Sequence, residues 1–305
     1  MTGLPMADES EDNGAGDADL AARVKAREAR EREPTPTERA LTAEERSTVG
    51  RHTKLSALAV YSIILREGEE EMHRPKTSLW WSGVAAGLGI STSVLMVGVM
   101  RAALGADHPY LGLFQAFGYT FGFVLVILCR LQLFTENTIT PILPFLAAPS
   151  RDKLYDIARL WSIVFVANMV GTATTALLAV HGGILSPEVL GGILDISRHV
   201  AGFTWSEALL RGIPSGFFIA ALVWMMPSAK GSELLLIIMF TWLIAAGDFT
   251  HVVAGSNEIF VLMFNGELGI GAAFAVHILP MLIGNIIGGT GLFAMLAYGQ
   301  VHDEM

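Results

Sequence analysis

The sequence predicts an all-α membrane protein of six transmembrane helices, arranged as a three-plus-three inverted repeat with helices 2 and 5 broken. Three observations predict it. Of 305 residues, 52% are hydrophobic and 16% charged, whereas soluble domains carry about 25% charged residues. The charge is also confined: twelve of the twenty Lys/Arg and sixteen of the twenty-nine Asp/Glu precede Thr77. Finally, the remainder divides into uncharged runs long enough to cross a bilayer, two of them interrupted by charge near mid-span.

The elements follow in order. Residues 1–50 are polar and of mixed charge, too poor in apolar surface to offset the entropy of ordering, and are expected to be a disordered cytoplasmic tail. Residues 51–76 are expected to hold an amphipathic helix and linker, with Leu55, Leu58, Tyr61 and Leu65 recurring at helical spacing. Such a helix either lies on the membrane surface or packs under the bundle. The channel domain is expected over 77–302. Thr77–Met100 is uncharged for 24 residues, Leu160–Pro187 for 28 and Leu268–His302 for 35, against the roughly 20 that span the hydrocarbon core. His108–Cys129 is followed by the charged stretch Arg130 to Glu136 and then by uncharged Asn137–Ser150. Trp205–Met226 carries Glu207 and Arg211. Leu234–Gly247 is cut at Asp248 and resumes at Ile259–Asn265.

The two halves share a tetrad. Asn168-Met169-Val170-Gly171 in the third span matches Asn285-Ile286-Ile287-Gly288 in the sixth, at similar distances from Thr135 and His251 in the breaks. Three helices per half set the halves in opposite orientation. Gly83 and Gly87 in the first span have the G-x-x-x-G spacing that permits close helix packing. Lys and Arg crowd the region before the first span and the loop after the second, which predicts that both termini are cytoplasmic.

Several functions are excluded. No basic patch with interleaved aromatics points to nucleic acid. The single cysteine, Cys129, rules out an intrachain disulfide or a cysteine metal site. No metal-ligand cluster, phosphate loop or nucleophile elbow is found, so no metal, no cofactor and no enzyme activity are expected. Met1–Leu20 is acidic and lacks an apolar core, so no cleaved signal peptide is expected.

The chemistry concentrates at the breaks, Leu131–Thr138 and Gly247–Ser256. Half-helix ends there are expected to offer unpaired N–H groups to an anion. His251 is the candidate proton exchanger, because an imidazole trades a proton near physiological pH and a neutral acid crosses hydrocarbon far more easily than its anion. The bland reading is a histidine held by backbone as a peg. Thr135 is placed to orient that ring or to donate to the solute. Arg130 and Asp248, one from each break, either pair with each other near the pore or sit at interfacial depth and reach for water. His277, ahead of Pro280, reads as a packing residue.

Ordered along the chain, Leu133-Phe134-Thr135-x-Asn137, Trp161 with Asn168-Met169-Val170-Gly171, Phe249-x-His251, and Pro280 with Gly284-Asn285-Ile286-Ile287-Gly288-Gly289 resemble the formate/nitrite transporter family, within its inner-membrane branch. The resemblance covers about residues 70–300. It implies an aquaporin-like fold and a homopentamer in a bacterial inner membrane, with the lipid bilayer and a small anion and proton as partners. It also implies that Thr135 and His251 are the central polar pair and that Leu133, Phe134 and Phe249 belong to the substrate pathway. Constriction positions would fall near Tyr119, Phe123 and Ile244. The chain departs from the family pattern where Arg130 and Asp248 replace small residues. It departs again at Thr250, at Gly255, and in lacking a clear vestibule lysine, with Arg198 and His199 the nearest basic residues. The implied function is passage of formate, nitrite or a similar monovalent anion. The other readings are a non-conducting structural membrane protein, or a receptor or enzyme using the same cavity.

Overall fold

A computed structural model describes residues 42, 44–45 and 54–305 of the chain. The expected tail over 1–50 therefore lies outside the described residues except at Thr42, Glu44 and Glu45. Met1–Lys54 and Leu55–Met305 are separate units, and the second carries everything that follows.

The second unit is all-helical. In chain order its helices are α1 (Ala57–His73), α2 (Lys76–Leu104), α3 (Leu111–Leu128), α4 (Ile142–Ala147), α5 (Arg151–His181), α6 (Pro187–Ala201), α7 (Trp205–Met225), α8 (Glu233–Ala246), α9 (Val252–Phe264) and α10 (Ile270–Glu304). Among the described residues five helices are long and apolar enough to cross a membrane: α2, α3, α5, α10, and α7 with the short turn that extends it to Ser228. The apolar helices α8 and α9 are shorter. After Leu128 the chain leaves helical geometry until Ile142, except for one 3-10 turn at Glu136–Thr138. It leaves it again between Ala246 and Val252. The segment α9 begins at Val252, seven positions earlier than the uncharged run at Ile259 suggested, because the intervening Glu258 is buried within the helix.

Two elements were not foreseen. The helix α6 starts at Ser186, whose hydroxyl caps Val189, with Pro187 in its first turn; that cap and proline are a helix-start signal. In α10, two stretches, Ala273–Ile278 and Ile287–Ala294, have π-helical bonding. The second stretch brings Gly289 against Thr138, and Thr290 donates to the Thr138 carbonyl.

The helix α1 packs on the bundle. It buries Val60, Tyr61, Ile64, Gly68 and Met72, a face rotated from the expected one, with Leu55 exposed. The Tyr61 hydroxyl donates to the Leu143 carbonyl at 3.3 Å, and Gly68 abuts the Thr140 carbonyl so closely that a side chain would collide.

The two non-helical segments are held by the same bonds. Asn168 on α5 accepts from the Phe134 N–H at 2.9 Å and donates to the carbonyls of Gly83 at 2.8 Å and Gln132 at 2.9 Å. Asn285 on α10 accepts from the Val252 N–H at 2.8 Å and donates to the carbonyls of Gly212 and Thr250, each at 2.9 Å. One amide thus ties a broken segment to a neighbouring helix in each case. The approach requires glycine: a side chain at Gly87 would strike the Asn168 carbonyl, and one at Gly216 the Asn285 carbonyl. The G-x-x-x-G pair of α2 has a counterpart in Gly212 and Gly216 of α7.

These bonds also correct the register. Arg130, Gln132 and Phe134 match Asp248, Thr250 and Val252 position for position. Thr135 therefore matches Val253 and His251 matches Leu133, so Thr135 and His251 are not each other's equivalents. Arg130 and Asp248 are the only non-glycine residues with positive φ among those described, at 53° and 56°.

Each asparagine makes three buried bonds, each worth about 1 kcal/mol net and more when a partner is stranded. Asn168→Leu and Asn285→Leu are each expected to lower the unfolding free energy in detergent by about 3 kcal/mol. A fluorescence melt showing either variant as stable as the parent contradicts the clamp.

Candidate functional site

Two cavities open at opposite ends of α3. The first, of about 160 Å³, is lined by Gln115 and Tyr119 of α3, His199 of α6, Asp248, Phe249 and His251 of the second break, and Glu258 of α9. The second, of about 770 Å³, is lined by Ile127 and Leu128 at the other end of α3, by Arg130, Gln132 and Glu136, and by Glu67, Glu71 and Arg74 around α1. Along α3, Tyr119 faces the first cavity and Ile127 the second, with Phe123 buried between them.

Between the cavities α3 turns Phe123 inward, and that ring is fully buried. Leu133, Ile244 and Thr135 are fully buried as well. The Phe123 ring meets the His251 ring edge-on, centroids 4.9 Å apart, and the Tyr119 ring lies 5.3 Å from Phe123. Phe134 is set apart from them. It packs against Trp161 and Phe165 of α5 at 5.7 and 5.2 Å and lines neither cavity, because its N–H is drawn to Asn168 and its side chain follows the backbone toward α5.

His251 joins the two breaks. Its Nε2 lies 2.8 Å from the Thr135 Oγ1. Its Nδ1 accepts from the Ala254 N–H at 3.3 Å and so caps α9. A nitrogen that accepts carries no proton, so the ring proton sits on Nε2 and points at Thr135. The Thr135 hydroxyl hydrogen then remains to donate elsewhere. The N–H groups expected to be open to an anion are mostly engaged: Phe134 and Val252 by the asparagines, Ala254 by His251 itself.

Arg130 and Asp248 do not pair. They line different cavities. Arg130 lies 3.6 Å from Glu67 of α1, where burial raises the Glu67 carboxyl above the usual range against the pull of Arg130. Asp248 is 3.1 Å from Arg211 and 3.0 Å from His199, and Arg211 stacks over Phe203 at 4.4 Å. Each charge stands beside its own non-helical segment, in its own cavity.

Sequence reasoning passed over Glu258, which is 5% exposed. It fell in the gap left when the second half of the break was read from Ile259. A single carboxyl in the thirteen-residue apolar stretch Val252–Phe264 was the available signal. Glu136, next to Thr135, has its Oε1 buried without a partner among the described residues. No group of three or more His, Cys, Asp or Glu there could hold a metal ion.

Apolar helices whose two non-helical connections meet at a polar pair define a membrane channel or transporter class, and the comparisons specify it. The formate/nitrite transporter family model matches residues 58–299, and the chain belongs to that family. It is 40% identical over 249 residues to the inner membrane protein YfdC of Escherichia coli strain K12, covering 82% of this chain and 80% of that protein. It is 26% identical over 236 residues to the formate channel FocA of Haemophilus influenzae, covering 68% and 81%. Among solved structures, a pentameric formate channel with formate bound superposes with a TM-score of 0.62 at 20% identity, over 74% of this chain and 97% of that one. An FNT family ion channel does so with a TM-score of 0.68 at 18% identity, over 80% and 98%.

Left-handed geometry costs a non-glycine residue roughly 1 kcal/mol, while an exposed ion pair returns about 0–1 kcal/mol. Arg130→Gly is therefore expected to leave thermal stability in detergent unchanged or raise it slightly. Asp248→Gly is expected to lower it, since Arg211 and His199 lose their shared carboxylate. A drop for Arg130→Gly as large as that for Asp248→Gly contradicts this account.

Proposed function

We propose that the protein passes small monovalent weak-acid anions of the formate or nitrite type across a bacterial inner membrane, coupled to a proton. The observation that carries this reading is the His251–Thr135 contact, set in a closed apolar layer between two cavities. An anion entering that layer loses its hydration with no full charge to compensate it. A polar pair with a mobile hydroxyl hydrogen and a ring N–H supplies donors there, and a solute that crosses as its neutral acid avoids the cost.

The same reading covers the architecture. The segments α3 with α4, and α8 with α9, act as broken second and fifth spans of a six-span, three-plus-three inverted repeat. The identical asparagine clamps and the paired left-handed residues support that symmetry. Residues 77–302 form the channel domain. The assembly is a homopentamer with a pathway in each protomer, supported by the pentameric formate channel that shares the fold. Both termini are cytoplasmic, as the Lys and Arg distribution supports. Tyr119, Phe123, Leu133, Ile244 and Phe249 shape the pathway around His251 and Thr135, with Phe134 as a support.

The test is flux of formate and of nitrite into proteoliposomes holding the purified full chain, with and without an inward proton gradient. Wild-type protein is expected to carry at least one of them, faster with the gradient. His251→Ala is expected to slow that flux roughly 100-fold, the scale of losing a proton-handling group. Absence of flux for every weak acid tried, with the oligomer intact by native mass spectrometry, contradicts the proposal.

A further inference from the structure

If the solute crosses as a neutral acid, something must load it with a proton before it reaches the closed layer. His251 is poorly placed for that step from the first cavity. Its Nδ1 is committed to the Ala254 N–H, and its Nε2 proton points at Thr135. The ring serves the crossing itself, handing donors along the Nε2–Oγ1 contact.

We propose that Glu258 is the proton-loading residue of the first cavity, a role that rests on the proton-coupled reading above. Glu258 lies two turns along α9 from His251 and lines the same cavity. It is nine-tenths buried, yet its carboxyl has no hydrogen-bond or ion partner among the described residues. Room for a solute beside it is the cavity itself, which Glu258 lines together with Gly255 and Met281; Met281 packs against Gly255, where a side chain would meet its sulfur at 2.8 Å.

The surroundings leave Glu258 as the available acid. Asp248 shares the cavity but is held by Arg211 and His199. Tyr119 faces the cavity from α3 and His199 from α6. His277 lies on the π-helical stretch of α10 that packs on α9. Arg198, also on α6, is tied to Glu267 and Asp195.

The step balances without any further reactant. The Glu258 O–H bond breaks and an O–H bond forms on the solute carboxylate, the electron pair of the broken bond staying on the glutamate oxygen. The neutral acid moves on past Phe123, and water on the same side returns a proton to Glu258. One proton accompanies each solute.

The experiment measures formate flux and lumenal pH together in proteoliposomes, from pH 5 to pH 8, for wild type, Glu258→Gln and Glu258→Asp. In Glu258→Gln, flux at pH 7 is expected to fall at least about tenfold. The loss should shrink toward pH 5, where the solute brings its own proton. Glu258→Asp, which keeps an acid in place, is expected to retain one-to-one proton uptake. The proposal is overturned if the glutamine variant keeps the wild-type pH profile and proton uptake. Should the glutamine variant fail to assemble, the aspartate variant decides, and uncoupled flux there overturns the proposal. Wild-type protein that moves formate without protons, or not at all, sinks the underlying reading instead, so the two failures are distinguishable.

Discussion

Non-helical backbone inside a membrane protein has no water to satisfy its polar groups, and each stranded group costs several kcal/mol. The rest of this structure depends on how that debt is met. Two asparagines meet it. Asn168 and Asn285 each give one acceptor and two donors to a broken segment and an adjacent helix. The amide is the side chain suited to this, since it offers both functions in one plane. Glycines at 83, 87, 212 and 216 let the helices come close enough for those bonds to form.

With the backbone fixed, two side chains are brought into contact from segments far apart in sequence. His251 reaches Thr135 across 116 positions. The imidazole simultaneously caps α9, so the tautomer follows from a helix-end requirement. One ring nitrogen closes the end of α9 and the other meets Thr135.

The charges at the break mouths follow a different logic. Arg130 and Asp248 occupy left-handed positions that glycine would fill with less strain. Their side chains project into opposite cavities and find local partners in Glu67 and in Arg211 with His199. Left-handed geometry costs each about 1 kcal/mol, set against these local ion pairs.

Much of this was legible in the sequence because burial and hydrocarbon length impose composition directly. Uncharged runs located the long helices, the paired N-x-x-G tetrads located both clamps, and Thr135 and His251 stood out as polar residues inside the interruptions. What composition could not carry was pairing at a distance. The register of the two breaks was misjudged by two positions, since it is set by which backbone groups Asn168 and Asn285 reach. For Arg130 and Asp248 the residue types left two readings open, a mutual pair or separate interfacial positions, and the structure gives each its own cavity and its own partners. Glu258 was hidden because a charge in an apolar run reads as a break, whereas packing holds it inside a continuous helix facing a cavity. Sequence alone thus determined the long apolar helices, the two non-helical segments and the residue types within them. Only the tertiary structure decided which atoms meet, because hydrogen-bond partners across helices are chosen by geometry that no local pattern encodes.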